Sequence, residues 1–302
     1  MIKKRASFYK LFALPVILLT VNSCVDQEFP NVISPQLNVS SQPTAHQQSP
    51  VDIIDEVGKT ILTRFNVPQG YERIASADNS FGAYLQNLPL KPHGSLVKYY
   101  SGEEKSNYGV YEAVVDLEIG KRDLHQCADA IMRLWAEYWW EREIYEPIHF
   151  NFTNGFRVDY TEWMKGKRIS VKGSKASWYQ KGSASNTYND FWKYMEIVFS
   201  YAGTLSLSKE LKPVHINDMQ IGDIFIQGGS PGHAVIVVDM AIDTVNDKKV
   251  YMLAQSYMPA QEIQILKNTS GDESPWYVLS DVESFRTPEW TFKSTDLKRF
   301  EK

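Results

Sequence analysis

Apolar runs separated by turn residues dominate the last third of the chain. Residues 224–226 form a short apolar run, and residues 228–232 hold three glycines and one proline. Residues 234–238 follow as an unbroken apolar run rich in β-branched side chains, a pattern typical of a buried strand. A further apolar run at residues 250–254 comes after a polar, turn-rich segment. The pattern therefore predicts an antiparallel hairpin between the last two runs.

His233 stands at the start of the first strand of this hairpin, next to the glycine-rich turn. A histidine held by a strand on one side and open to a loop on the other has the placement that a general base needs. A hairpin centred near Thr244 or Val245 puts His233 opposite Gln255 or Ser256. A polar amide there can fix the tautomer of the imidazole. The alternative is a turn capped by a histidine, and the hairpin alone leaves both interpretations open.

Helical periodicity precedes these strands. Apolar side chains recur at helical spacing along residues 124–143, which predicts a long helix with Asp123 as its N-cap. A second helix is predicted over residues 189–201, and a short one over residues 79–88. Helices that come before a run of strands favour an α+β fold over an alternating one.

The remaining apolar runs predict further strands. They lie at residues 60–67, 96–100, 110–117, 262–266, 276–279 and 290–292. We expect the strands between residues 224 and 292 to form one antiparallel, strongly curved sheet, with the long helix packed against it.

Cys127 lies in the first turn of the predicted long helix. The free backbone N–H groups and the dipole of a helix start favour an anion, so they can lower the pKa of a thiol and supply a thiolate nucleophile. Arg122 and His125 are close in sequence and could contribute. The alternative is that Cys127 is a small buried apolar side chain.

The first residues have the pattern of an export signal. Residues 3–5 are basic, residues 8–21 are apolar but too short for a usual spanning helix, and Cys24 follows. This segment resembles a bacterial lipoprotein signal, which implies removal of residues 1–23 and lipidation of Cys24. An ordinary secretory signal is the alternative.

The segment after the signal is rich in Gln, Ser, Pro and Asn. Residues 24–51 are therefore predicted to be a flexible tether, and residues 52–302 a single domain. We expect an outer-membrane lipoprotein that contacts the membrane through Cys24 and faces the periplasm or the cell surface.

Charge and motif content limit the possible partners. The net charge of −4 over 302 residues does not suggest nucleic acid as a partner. No phosphate loop or dinucleotide motif is present, so no cofactor is expected. His125 and Asp129 have the i, i+4 spacing of a metal-binding pair, but no third ligand follows at a telling distance. A polar helix edge is the favoured interpretation, and no metal is predicted.

The order of these parts resembles the papain-like cell-wall amidohydrolases of the NlpC type and their CHAP-type relatives. The matching segments are Gly222-Asp223-Ile224-Phe225, Gly232-His233-Ala234-Val235-Ile236-Val237 and Leu253-Ala254-Gln255-Ser256. The resemblance implies a papain-like helix on a curved antiparallel sheet, here with extra N-terminal strands. It also implies that Cys127 attacks, His233 is the base and Gln255 orients the ring. Gln126-Cys127-Ala128 departs from the usual Asp-Cys-Ser/Gly, and Gln255 replaces a commoner histidine or asparagine.

Nearly the whole chain also resembles an uncharacterised family of Bacteroidetes lipoproteins. The resemblance is carried by the phrases at residues 123–130, 150–155 and 256–261. That family implies no known activity.

The first functional hypothesis is a membrane-anchored cysteine hydrolase that cleaves an amide bond in peptidoglycan or a related peptide. The second is a non-catalytic surface lipoprotein on a degenerate fold of the same kind, which binds glycan or peptide. Acyl transfer to an amine is a third, because hydrolysis and transfer share an acyl-enzyme.

Overall fold

The computed structural model describes residues 52–271 and 274–301. The predicted signal peptide, the lipidation site Cys24 and the tether lie outside these residues. Six α-helices are present in the described part of the chain: α1 (Ile61–Arg64), α2 (Phe81–Gln86), α3 (Cys127–Trp140), α4 (Tyr160–Met164), α5 (Tyr188–Tyr201) and α6 (Thr204–Glu210). No helix within these ranges combines the length and apolarity needed to cross a bilayer.

The strands dominate the architecture. They are β1 (Glu72–Arg73), β2 (Tyr111–Val114), β3 (His149–Asn151), β4 (Arg157–Asp159), β5 (Lys167–Lys172), β6 (Lys175–Gln180), β7 (Lys212–Pro213), β8 (Ile224–Gln227), β9 (His233–Asp243), β10 (Lys248–Gln255), β11 (Gln264–Leu266), β12 (Tyr277–Val278), β13 (Ser284–Arg286), β14 (Thr291–Lys293) and β15 (Leu297–Arg299).

Nine of these strands form one antiparallel sheet. Its order is β2-β11-β10-β9-β8-β15-β7, with β1 paired to β9 and β12 paired to β10. The pairs β3-β4, β5-β6 and β13-β14 are separate two-stranded sheets. The central position of β9 places His233, its first residue, in the interior of the domain.

The predicted α+β, papain-like fold is wrong. The described residues form a mainly antiparallel β structure around the nine-stranded sheet, and four of the six helices have seven residues or fewer. The sequence pattern predicted three of the six helices and gave no sign of the two-residue strands β1 and β7. The expectation of one sheet through residue 292 is also wrong, because β14 pairs only with β13.

The predicted hairpin is confirmed. Strands β9 and β10 pair antiparallel, with Val237 opposite Leu253 and Ile236 opposite Ala254. Alternate residues of β9 enter two apolar clusters on opposite faces of the sheet, one containing Ile236 and the other Val237. Burial on both faces explains why this strand is an unbroken apolar run instead of an alternating one.

Several local predictions are corrected. The predicted strand at residues 60–67 contains α1, whose start is capped by the Thr60 side chain accepting from the Thr63 N–H. Helix α3 begins at Cys127 with Gln126 as its N-cap, three residues later than expected from Asp123. The predicted strand at residues 96–100 has only isolated bridges. The helices predicted over residues 79–88 and 189–201 are confirmed as α2 and α5.

Candidate functional site

Cys127 is the first residue of α3, which packs against β9. Its φ angle is +26°, a backbone conformation that side-chain-bearing residues rarely adopt and that recurs at functional sites. The side chain is 6% exposed. Cys127 and Gly232, the residue before His233, line the same cavity of about 250 Å³. The start of the helix and the start of the strand therefore meet at one small cavity.

Two hydrogen-bonded contacts fix the start of α3 to the segment that follows β10. The Asp123 carboxylate accepts from the Gln126 side chain at 2.8 Å and from the Ala260 N–H at 2.7 Å. The Ser256 hydroxyl donates to the His125 carbonyl at 2.9 Å. Because Ser256 directly follows Gln255, these bonds hold the cysteine segment and the glutamine segment together.

His233 is fully buried at the start of β9, opposite Gln227 of β8. Its Nε2 lies 2.8 Å from the Gln255 Oε1. Its Nδ1 has no hydrogen-bond partner among the described residues. The ring packs edge-on against Tyr257, with 4.8 Å between the ring centroids. It also lies at a tilt against Trp290, with 5.4 Å between the centroids. One ring nitrogen is thus bound and oriented, while the other is buried without a hydrogen-bond partner among the described residues.

Gln255, at the end of β10, is itself held by a buried ion pair. Its Nε2 donates to the Glu289 carboxylate at 2.6 Å, and the Lys105 ammonium lies 2.7 Å from the same carboxylate oxygen. A carboxylate only accepts, so the amide presents its oxygen to His233. Nε2 of His233 is then the protonated nitrogen, and Nδ1 carries the lone pair.

The structure brings the predicted His233–Gln255 pair into direct contact and places Cys127 at the same cavity as Gly232. Tyr257, two residues after Gln255, packs its ring against the His233 imidazole. The prediction that Gln255 lies beside the histidine is therefore met in geometry. Its role in catalysis stays a prediction.

Burial favours the neutral form of both the Cys127 thiol and the His233 imidazole. It raises the pKa of the Cys127 thiol to about 12, with Asp129 and Glu289 adding to the effect. Burial lowers the pKa of His233 to about 4. The Lys105 charge also lowers this pKa, whereas the hydrogen bond to Gln255 raises it. The expectation of a lowered thiol pKa at the helix start is wrong, since desolvation outweighs the helix dipole at this depth.

The predicted polar helix edge at His125 and Asp129 is also wrong. His125 is fully buried with its ring against Phe199, and burial lowers its pKa to about 3. Asp129 is buried too, which raises its pKa well above the usual range. Within the described ranges, no group of three or more His, Cys, Asp or Glu side chains is placed to hold a metal ion.

Sequence reasoning missed Glu289 and Lys105. Lys105 comes from a polar loop and Glu289 from the connection between β13 and β14, so 184 residues separate them. No spacing or periodicity marks either residue. In the structure Lys105 is only 3% exposed, which is rare for a lysine and shows that its loop enters the interior.

Comparison with known families matches residues 61–299 to a family described as a domain of unknown function (4846). Searches among curated proteins and solved structures returned no match. The matched segment contains every residue of the Cys127, His233, Gln255 and Glu289 arrangement.

Proposed function

This chain belongs to the family described as a domain of unknown function (4846), and we propose that it is a cell-envelope cysteine hydrolase of amide bonds. Cys127 is the nucleophile, His233 the general base and Gln255 the group that orients the imidazole. The substrate class is a peptide, with the peptide part of peptidoglycan as the first candidate. From the resemblance to NlpC-type and CHAP-type enzymes, the proposal keeps only these residue roles.

The observation that carries the proposal is the state of the His233 ring. A buried imidazole nitrogen without a partner lowers the stability of the folded state. Its presence in a native structure therefore calls for an explanation, and a catalytic role is one. Here Nδ1 has no partner among the described residues, while Nε2 is fixed by Gln255. A base needs a free lone pair and a fixed orientation, and His233 has both.

The neutral state of both groups shapes the reaction. Proton transfer from the thiol to Nδ1 accompanies attack of the sulfur on the carbonyl carbon, since burial disfavours a free thiolate before the attack. Negative charge then develops on the carbonyl oxygen near the start of α3, where backbone N–H groups lack partners within the helix.

Collapse of this intermediate breaks the C–N bond, and the imidazolium gives its proton to the departing amine. A water molecule then attacks the thioester. Nδ1 accepts the proton of that water and returns it to the sulfur, which releases the carboxylic acid and restores the site. An amine in place of water gives acyl transfer by the same steps.

A non-catalytic binding lipoprotein is the second candidate. It is favoured by the raised pKa of Cys127 and by the small exposed fraction of its side chain, because a buried neutral thiol is a weak nucleophile. Under this candidate, the cavity beside Cys127 binds part of a peptide or glycan.

Digestion of peptidoglycan fragments separates the two candidates. We expect the full-length protein to release one new amine and one new carboxylate per cleaved amide bond, measured by mass spectrometry. Cys127→Ser keeps the side-chain shape but should release no product. If the wild-type protein binds the fragments and leaves every amide bond intact, the binding candidate replaces the hydrolase.

Membrane anchoring through Cys24 is part of the proposal, with the outer membrane as the location and a Bacteroidetes lipoprotein as the type. It is supported by the basic residues 3–5, the apolar residues 8–21 and the cysteine that follows them.

Cys24→Ala should abolish lipidation and therefore either release the protein in soluble form or leave it unprocessed. Membrane fractionation and the mass of the purified chain measure this. Membrane retention and processing identical to those of the wild type would disprove anchoring through Cys24.

A further inference from the structure

Glu289 lies behind Gln255, in the connection between β13 and β14. It accepts from the Gln255 Nε2 at 2.6 Å and pairs with Lys105 at 2.7 Å, at the same carboxylate oxygen. The Lys105 side chain is 3% exposed and that of Glu289 is 14% exposed. Moving two charged groups out of water costs free energy. Such a pair therefore needs close polar partners in the folded protein.

The orientation of the Gln255 amide is the property that Glu289 controls. A side-chain amide has a donor end and an acceptor end of similar shape, so His233 alone accommodates either orientation. With the oxygen toward His233, Nε2 is protonated and Nδ1 is the base. With the NH₂ group toward His233, Nε2 accepts and Nδ1 carries the proton.

A carboxylate removes this choice. Glu289 offers only acceptors, so the flipped amide would turn its oxygen toward a negative charge and lose a short hydrogen bond. The Lys105 ammonium lies 2.7 Å from the Glu289 carboxylate and supplies the opposite charge. The order of donors and acceptors from Lys105 to His233 is thereby fixed in one direction.

We propose that Glu289, held by Lys105, is a positioning residue that sets the tautomer of His233 and so makes Nδ1 the base. The proposal rests on the function proposed above for its consequence in catalysis, but the tautomer itself is a property of the free protein. The contact of Glu289 with Gln255 links the connection between β13 and β14 to the site.

The test is ¹⁵N NMR of histidine-labelled full-length protein in detergent, with the His233 signals assigned from a His233→Gln spectrum. In the wild-type protein we expect the Nε2–H tautomer. Because Glu289→Ala leaves Lys105 buried and unpaired, two double variants are compared: Lys105→Met/Glu289→Ala and Lys105→Met/Glu289→Gln. Both lack the charges, and neither has a group at position 289 that can only accept, because an amide also has a donor end.

Both double variants should show the Nδ1–H tautomer at about a third or more of the population, whereas the wild-type protein keeps the Nε2–H tautomer. Glu283→Ala, an exposed glutamate next to β13, is the control and should change nothing. An unchanged Nε2–H tautomer in both double variants, or an Nδ1–H tautomer in the wild type, would overturn the proposal.

Turnover provides the second readout. Where the wild-type protein cleaves a peptidoglycan fragment, both double variants should lose kcat in proportion to the Nδ1–H population, by about 1.5-fold where that population is about a third, because only the Nε2–H tautomer has a free lone pair on Nδ1. KM should change little. A protein that cleaves nothing but shows the tautomer difference refutes the hydrolase and supports the positioning role.

Discussion

His233→Ala is expected to lower kcat/KM by about 10²–10⁴-fold on the peptide that the wild-type protein cleaves, because general-base catalysis contributes a factor of that size. The effect should be near the upper end. In this buried site the thiol has a pKa of about 12, so it cannot ionise at neutral pH without a base. Steady-state kinetics on the identified fragment measures the change.

The pH profile of cleavage by the wild-type protein tests the same residue. Burial lowers the pKa of His233 to about 4, so Nδ1 keeps its lone pair throughout the range from neutral pH to about pH 5. We expect kcat/KM to stay level in that range and to fall as pH drops through about 4, where the ring takes up a proton and can no longer accept one from the thiol.

His93 provides a matched control. It is 3.7 Å from Glu56 in an exposed position, and His93→Ala should leave kcat/KM within about twofold of the wild-type value. A His233→Ala enzyme that keeps more than about a tenth of the wild-type kcat/KM would show that the imidazole is not the base. A fall in kcat/KM that begins at about pH 6.5 would mean that His233 titrates as an exposed histidine does.

The His233–Gln255 contact could be predicted because both residues belong to one hairpin. The apolar runs of β9 and β10 and the turn between them set a register in which Ala254 lies opposite Ile236. Gln255 therefore reaches His233 diagonally across the two strands, and the predicted direct opposition of the two residues is wrong. Helix α3 was predictable for a similar reason, since its apolar periodicity is local. Such features depend on residues close in sequence.

The fold class and the thiol pKa depend on distant residues. Strands of two or three residues, such as β1, β7 and β15, have no periodicity of their own and form only because neighbours in the sheet pair with them. The raised pKa of Cys127 also depends on the tertiary structure. It comes mainly from burial, and Glu289, which lies in a distant segment, contributes to it. A helix start in water would have the opposite effect on a thiol.

The second large expected effect concerns stability and involves the buried carboxylate of Asp239. It is fully buried on β9, the strand that begins at His233. One carboxylate oxygen lies 2.9 Å from Nε of Arg73 on β1, and the other accepts from the Gln86 side chain at 2.7 Å. Burial nevertheless raises the pKa of Asp239 to about 6, which shows how far desolvation offsets these partners.

Arg73→Met should lower the free energy of unfolding at pH 8 by about 3–5 kcal/mol, because it leaves a buried carboxylate without its counter-charge. The variant also loses the bonds from Arg73 to the Leu62 and Phe65 carbonyls. Urea unfolding followed by tryptophan fluorescence measures the change. Arg157→Met is the control, since its pair with Asp159 is exposed and should contribute at most about 1 kcal/mol.

The pH dependence identifies the cause of the loss. Between the ordinary pKa of 3.8 and the folded value of about 6, the folded state binds a proton at Asp239 that the unfolded chain does not, so this residue favours folding more as pH falls through that range. Removing Arg73 raises the folded pKa further, so the loss relative to the wild type should be smaller at pH 5 than at pH 8. Arg73→Met/Asp239→Asn should regain most of it at pH 8, because no buried charge remains. The same loss at both pH values, without recovery in the double variant, would assign the effect to the carbonyl contacts of Arg73 instead of to its ion pair.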